Sequence, residues 1–338
     1  MLFFGSNRTL GVDIGTSSVK VVQLKKEAEN FFLETYGVVN VAFDTGSRGF
    51  DAIAETADIL KKLLEKTKIT TKKVIASLPN SIVFVSMIEM PEMSDKDLQN
   101  SIQWEARRYV PLPLEEVTLS WSVYRDPEST SRKLKVLLTA VPTAVVENYL
   151  KTFKLAGLKL MALEIEALAL IRSLVGSSKD AFIIIDMGAR NTSLNLVDKG
   201  FLRLSRNLSI GGENITTNIA QGLKVSVGRA EQFKKDLGLT DQLKDQIPQA
   251  IKTSVETIKT ETAQLINIYE SGGGKIHEIV FTGSGSRLPG LLNFFSDFGT
   301  KVSLGDPLKF INYDPRIKTN LSRISSALSI AIGLAMRG

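Results

Sequence analysis

The chain has 338 residues, 43% of them hydrophobic, enough to bury more than one core. It has no cysteine and a single histidine, His277, which excludes disulfides, thiolate zinc sites and cysteine nucleophiles. The net charge of +6 is modest for this length and the basic residues are interspersed with acids, which argues against nucleic acid and permits proximity to an anionic membrane.

Residues 1–4 are too short for the apolar part of a signal peptide, and no run reaches the roughly 18 apolar residues of a membrane span, so the chain is expected in the cytoplasm. An apolar strand over 9–12 runs into Asp13. Gly15 then reverses the chain, Thr16, Ser17 and Ser18 offer hydroxyls, and Lys20 falls in a second apolar strand over 19–24. Such a turn exposes several backbone N–H groups at one point, a concavity that suits phosphate. Asp13 would repel phosphate and is better placed to hold water bound to Mg2+, an ion that keeps most of its hydration shell. A turn at 25–30 and a strand over 31–41 complete a meander. Phe50, Ile53, Ala54, Ala57, Leu60, Leu63 and Leu64 then recur at helical spacing, and 73–78 reads as a strand closed by Pro79 and Asn80.

The next stretch has a different rhythm. Residues 82–90 read as a strand ended by Pro91, and Ser94 with Asp97 forms a capping box for a helix reaching Tyr109. Pro111 and Pro113 end that helix. A strand over 118–124 carries Trp121, a polar turn spans 125–133, and a strand follows over 134–141. Strand, helix, strand, strand is a compact unit that can stand as an inserted subdomain. A helix over 144–156 ends at Gly157, a strand over 158–163 returns to the first domain, and 166–175 is apolar almost all round, as in a buried helix.

The opening pattern then recurs. An apolar run from Phe182 reaches Asp186, Met187, Gly188, Ala189, Arg190, Asn191 and Thr192, followed by strands over 193–197 and 201–206 with a turn at 198–200. Two copies of a three-strand meander, each with an acid ending its first strand, indicate a duplicated domain, and two facing hairpins would grip a nucleotide between them. Arg190 either pairs with phosphate or points away. Gly211 and Gly212 precede a helix that begins near Glu213, an arrangement that favours anion contact. Glu231 and Lys234 share a helix face, and spacing alone favours an ion pair between them over contact with a ribose and adenine edge. A long helix over 248–269 has an apolar stripe that reads as core. A strand over 276–282 leads into Gly283, Ser284, Gly285, Ser286 and Arg287, a turn whose backbone can lie flat against a base or sugar; Arg287 either stacks on the base or caps the next helix. His277, just before the 278–282 part of that strand, reads as structural or surface. The last helix, over 322–336, has the small residues of close packing and too thin a polar face for a membrane surface.

Together these elements resemble the actin-like ATPase superfamily over nearly the whole chain. Residues 11–22 and the stretch Trp104-Glu105-Ala106-Arg107-Arg108-Tyr109-Val110-Pro111 are similar, within it, to the PilM family of type IV pilus assembly proteins. The resemblance implies an α/β, ribonuclease-H-like duplicated fold: two lobes, a nucleotide cleft and an extra strand-helix-strand-strand subdomain. It implies first-lobe segments over 1–81 and 158–179, an insertion over 82–157, second-lobe segments over 180–212 and 276–321 with a subdomain over 213–275, and a C-terminal helix over 322–338 closing on the first lobe. ATP with Mg2+ is implied in the cleft, held by the phosphate loops at Asp13, Gly15, Thr16, Ser17 and Lys20 and at Asp186, Gly188, Asn191 and Thr192. Gly211, Gly212 and Glu213 join them, with Glu231 and Lys234 on the adenine side and Gly283, Gly285, Ser286 and Arg287 as the adenosine motif. Asp13 and Asp186 would hold the metal through water. Of Asp13, Asp186 and Glu213, Asp186 is the best candidate to orient an attacking water, in a scaffold with at most slow ATPase activity. The implied partner is the cytoplasmic N-terminal tail of a PilN-type protein, docked between the first lobe and the insertion near Phe84, Trp104, Arg108 and Tyr109. The implied place is the inner face of the inner membrane, reached through partners, among other pilus components and with self-association as an option. Competing readings are an FtsA-like filament protein, which would carry a further anchor after the last helix, a GspL-like secretion protein, which would continue into a membrane span, and a small-molecule kinase, for which the insertion offers no evident polar pocket.

Overall fold

The computed structural model describes residues 7–41, 50–124, 133–240 and 247–338. The polar turn expected over 125–133 lies, except for Lys133, outside them. Strands β1 (Arg8–Ile14), β2 (Ser18–Glu27) and β3 (Asn30–Asn40) form the first antiparallel meander, with Asp13 opposite Lys20. After helix α1 (Phe50–Lys66), β4 (Lys73–Leu78) joins β1 in parallel. The chain then leaves this sheet for β5 (Phe84–Pro91), α2 (Asp95–Tyr109), β6 (Val117–Tyr124) and β7 (Lys133–Pro142), whose strands form their own sheet in the order β5-β7-β6. Helix α3 (Thr143–Leu155) leads back, and β8 (Lys159–Ile165) completes the first sheet in the order β3-β2-β1-β4-β8. Helix α4 (Glu166–Leu170) comes next and continues through a π turn to Val175.

The second half repeats this plan. Strands β9 (Ala181–Met187), β10 (Thr192–Asp198) and β11 (Phe201–Leu208) form a meander. Helices α5 (Gly212–Leu223), α6 (Val227–Asp236) and α7 (Ile247–Ser271) precede β12 (Ile276–Thr282), which joins β9 in parallel. After α8 (Leu291–Phe294) comes β13 (Lys301–Leu304), an edge strand the hydropathy pattern did not announce, and the sheet order is β11-β10-β9-β12-β13. The chain ends with α9 (Lys318–Ile324) and α10 (Ser329–Ala335). The two sheets therefore have the same order and strand directions, the duplicated two-lobe α/β architecture expected from the repeated hairpin.

Strand alternation decides which side chains meet which layer. On β2, Val19 and Val21 pack with Ala57, Leu60 and Leu63 of α1, whereas Val22 and Leu24 turn to Ala331 and Ile332 of α10. On β9, Ile183 and Ile185 face Ile251, Val255 and Ile258 of α7, whereas Phe182 and Ile184 join α4. That last cluster also contains Ile75, Leu78 and Leu334, so α4 and α10 lie in a core shared by both lobes. In the insertion, Leu98, Ile102 and Ala106 seat α2 on Ile88, Val136 and Leu138. Ser94 caps α2 by accepting from the Asp97 N–H at 3.2 Å.

The C-terminal segment departs from the single helix expected over 322–336. A 3-10 turn at Ser325–Leu328 separates α9 from α10. The Ser326 carbonyl there accepts from the Gly283 N–H at 3.0 Å and the Thr282 hydroxyl at 2.9 Å, tertiary bonds that fix it away from an α-helical ladder.

Candidate functional site

The two meander hairpins close in the same way. The Gly15 N–H donates to the Ser18 carbonyl and the Gly188 N–H to the Asn191 carbonyl, both at 2.9 Å, so Asp13 and Asp186 hold equivalent places just before the glycine of each turn. Both hairpins line one cleft between the lobes. Its other walls come from the turns at the ends of the parallel strands: Pro79 and Asn80 after β4, Glu166 after β8, and Gly283 after β12. Carboxyl ends of parallel strands are where such sheets bind ligands, because the connecting turns leave backbone groups and short side chains facing one crevice.

Among the described residues, three carboxyls and one ammonium face this cleft. Lys20 Nζ lies 2.9 Å from Asp13 Oδ2, and the Ser77 hydroxyl donates to Asp13 Oδ1, also at 2.9 Å. Burial works against the Lys20 charge, yet Asp13, then Asp186 and Glu166, raise its pKa above the ordinary lysine value. Glu166 accepts from the Asn80 backbone N–H at 3.1 Å. Burial, with added repulsion from Asp13 and Asp186, pushes its carboxyl up to about 8. Burial and then Asp13 push Asp186 up to about 6. Gly283, at φ +86°, presses on that carboxyl: a Cβ there would stand 2.3 Å from Asp186 Oδ1.

Glu166 makes folding stability depend on pH. Near the unfolded value of 4.5 and below, the group is protonated in both states and contributes nothing. Between there and about 8 the unfolded chain releases a proton that the folded chain keeps, so folding stability falls as pH rises through this window. Glu166→Gln is therefore expected to raise stability at pH 8 by an amount on the order of a few kcal/mol, and to make little difference at pH 5. Thermal melts of both proteins in cation-free buffer at the two pH values measure it.

Of the residues singled out from sequence, Asp13, Gly15, Thr16, Ser17, Lys20, Asp186, Gly188, Asn191 and Gly283 line the cleft. Others serve its frame. Thr192 is fully buried, its hydroxyl donating to the Ile210 carbonyl at 2.7 Å. The Gly212 and Glu213 N–H groups donate to the carbonyls of Gly188 and Ala189, at 3.0 and 2.8 Å, and a Cβ on Gly211 would meet Ala189 at 2.5 Å. The expected anion contact at these amides is replaced by a backbone splice between α5 and the second hairpin. Glu213 pairs with Arg190 at 2.9 Å, which answers the two readings of Arg190 with a third partner, a carboxylate. Lys234 lies 2.6 Å from Glu231 and donates to the Gly212 carbonyl at 2.9 Å, so the ion pair favoured by spacing also ties α6 to the start of α5. Ser286 closes its own turn on the Gly283 carbonyl at 2.7 Å, a Cβ on Gly285 would meet Met187, and Arg287 caps α9 at the Ser322 carbonyl.

Sequence reasoning missed Glu166, Asn80, Ser326 and Ser329, all of which line the cleft. Glu166 carried one signal, an acid opening an otherwise apolar helix. The four residues expected at a partner groove lie on two elements of the insertion, Phe84 on β5 and the others on α2. Phe84 is partly buried and packs against the insertion's core, whereas Trp104, 69% exposed, stands outside with Arg107 4.8 Å over its ring, beside exposed Arg108 and half-exposed Tyr109. The inward stripe of Leu98, Ile102 and Ala106 turns Trp104 and Arg108 outward. A shallow groove in the insertion runs instead between Gln103 and Arg107 of α2 and Leu119 and Trp121 of β6.

Among the described residues, no group of three or more His, Asp or Glu side chains is placed to hold a metal ion directly. No helix among them is long and apolar enough to cross a membrane.

A profile of the family described as type IV pilus assembly protein PilM matches residues 11–338. The cell division protein FtsA of Streptococcus pneumoniae is 27% identical over 349 residues, covering 88% of this chain and 75% of that protein. FtsA of Bacillus subtilis is 26% identical, covering 94% and 83%. Among solved structures, the PilM-PilN type IV pilus biogenesis complex aligns with TM-score 0.85 at 24% identity, covering 97% of this chain and 98% of that chain. MreB 5 of Spiroplasma citri bound to AMPPNP aligns with TM-score 0.55 at 12% identity, over 97% and 95%, a likeness of fold.

Proposed function

The chain belongs to the PilM family of type IV pilus assembly proteins, and from that premise we propose that it is an actin-like scaffold that binds a nucleoside triphosphate with Mg2+ between its lobes and the cytoplasmic tail of a PilN-type protein on its insertion. The observation that carries the first part is the pair of matched hairpins, Asp13 to Ser18 and Asp186 to Asn191, facing each other across one cleft. Their turns supply backbone dipoles for phosphate. Among the described residues, Lys20 is the one ammonium lining the cleft beside the carboxyls of Asp13, Asp186 and Glu166, so a bare polyphosphate would meet excess negative charge. Their oxygens suit a hard cation. Because they are not gathered for direct ligation, Asp13 and Asp186 would hold Mg2+ through its waters, where it neutralises phosphate charge. Lys20 balances Asp13, and Ser77 fixes the direction of that carboxyl. Asp186, raised to about 6, suits orienting water and accepting its proton, whereas Glu166, raised to about 8, keeps its own proton near neutral pH and would orient water as a donor. Glu166 thus joins Asp186 as a candidate for any slow hydrolysis.

The second part rests on the family and on the likeness to the PilM-PilN complex. Trp104, Arg108 and Tyr109 supply the exposed aromatic and arginine surface typical of binding hot spots, and partly buried Phe84 packs against the core of the same insertion. The turn Asn80–Ile82 both lines the cleft and opens the insertion, which places nucleotide and partner at two ends of one short segment. Through such a partner the chain would sit at the cytoplasmic face of the inner membrane. Titrating the purified chain with a PilN-type tail peptide, with and without Mg2+ and ATP, is expected to give saturable binding that ATP alters. Absence of peptide binding in both conditions, with ATP still bound, would place the chain with another partner.

A further inference from the structure

We propose that the side-chain amide of Asn80 recognises the terminal phosphate of a nucleoside triphosphate in the cleft. This rests on the nucleotide reading above and assigns a role to a residue outside both hairpins and the adenosine turn.

Asn80 Nδ2 is buried and has no hydrogen-bond partner among the described residues. An unpartnered buried amide donor is destabilising, and such a group is retained where a ligand acceptor completes the set. The residue lines the cleft together with both hairpins and Glu166. Its backbone N–H is fixed to Glu166 Oε2 at 3.1 Å, and it opens the 3-10 turn Asn80–Ile82 that follows β4.

The kind of acceptor is set by the neighbours. Asp13, Glu166 and Asp186 line the same cleft as Asn80, and a triphosphate reaches carboxyls only with a cation between them. The phosphate assigned to the cation beside these acids is the terminal one, because it carries the most charge of the three and has most need of the cation. A neutral amide donates to its oxygen while leaving the cation's charge balance unchanged. A diphosphate lacks that oxygen, so Asn80 acts as a discriminator between the two nucleotides.

The test is calorimetric titration of the full chain and of Asn80→Ala with Mg2+ and AMPPNP, and separately with Mg2+ and ADP. Loss of one hydrogen bond to a charged oxygen predicts roughly tenfold weaker AMPPNP binding by the variant, unchanged ADP binding and undiminished thermal stability. Asn80→Asp, which keeps the shape and replaces the donor with another carboxyl, is expected to weaken AMPPNP binding further. Equal AMPPNP affinity in wild type and Asn80→Ala, or an equal loss for AMPPNP and ADP, would overturn the assignment. A wild-type chain that binds neither nucleotide would overturn the nucleotide reading itself, a result distinct from either.

Discussion

Asp13→Ala is expected to lower the stability of the chain by about 3–5 kcal/mol and to abolish binding of magnesium nucleotide. Asp13 is 3% exposed, and its two oxygens are held by Lys20 Nζ and the Ser77 hydroxyl, each at 2.9 Å. Removing the carboxyl leaves a buried ammonium without its nearest counter-charge and a buried hydroxyl without its acceptor. The penalty comes from those orphaned groups more than from the lost pair, since replacing both members of a buried pair with apolar groups is often neutral. The double variant Asp13→Ala/Lys20→Met is therefore expected to recover most of the stability while remaining unable to bind magnesium nucleotide. Urea denaturation and calorimetric titration of the three proteins separate the structural role of Asp13 from its role toward the ligand. A double variant with wild-type nucleotide affinity would remove Asp13 from the site, whatever its stability.

The hairpins were legible because their chemistry is local and occurs twice. Asp13-Ile14-Gly15 and Asp186-Met187-Gly188 each carry an acid, a strand residue and a turn glycine, and the same Gly N–H to carbonyl bond closes both turns. The sheet order was implied by the repeat, since two copies of one meander fold alike. The cleft's remaining walls were not legible, because each is delivered by sheet order rather than by neighbours in sequence. Glu166 reaches the Asn80 N–H across 86 positions, and Ser326 reaches Thr282 across 44. A run of small residues through Ser325, Ser326 and Ala327 has the composition of a helix, and only the Thr282 and Gly283 donors waiting at the end of β12 show why it becomes a 3-10 turn. The Gly211–Gly212 pair misled for the same reason: its amides suit an anion in isolation, but the hairpin carbonyls of Gly188 and Ala189 reach the amides of Gly212 and Glu213 first.

The second large effect is expected at the helix that joins the lobes. A Cβ on Gly333 would stand 1.9 Å from the Ala169 carbonyl oxygen of α4, and on the opposite side of α10 a Cβ on Gly11 of β1 would stand 2.0 Å from the Ala331 carbonyl oxygen. The neighbouring atoms are backbone in both cases, so no side chain can rotate aside. α10 is clasped between β1 and α4, and moving it off Ala169 drives Ala331 into Gly11. Gly333→Ala is therefore expected to cost about 3 kcal/mol or more, the upper range for overpacking. It also displaces the Gly333 carbonyl, which accepts from Arg172 while Arg172 pairs with Glu164 at 2.8 Å. Because Ser329 and Ile330 of the same helix line the cleft and Ser329 bonds Thr282 at 2.8 Å, nucleotide affinity should fall with stability. Gly222→Ala is the matched control: it lies in α5, nothing lies within 4 Å of its added Cβ, and it should raise stability by about 0.5–1 kcal/mol. Urea denaturation of both variants beside wild type reads the difference, and a Gly333→Ala protein as stable as wild type would show that α10 has room to move between the lobes.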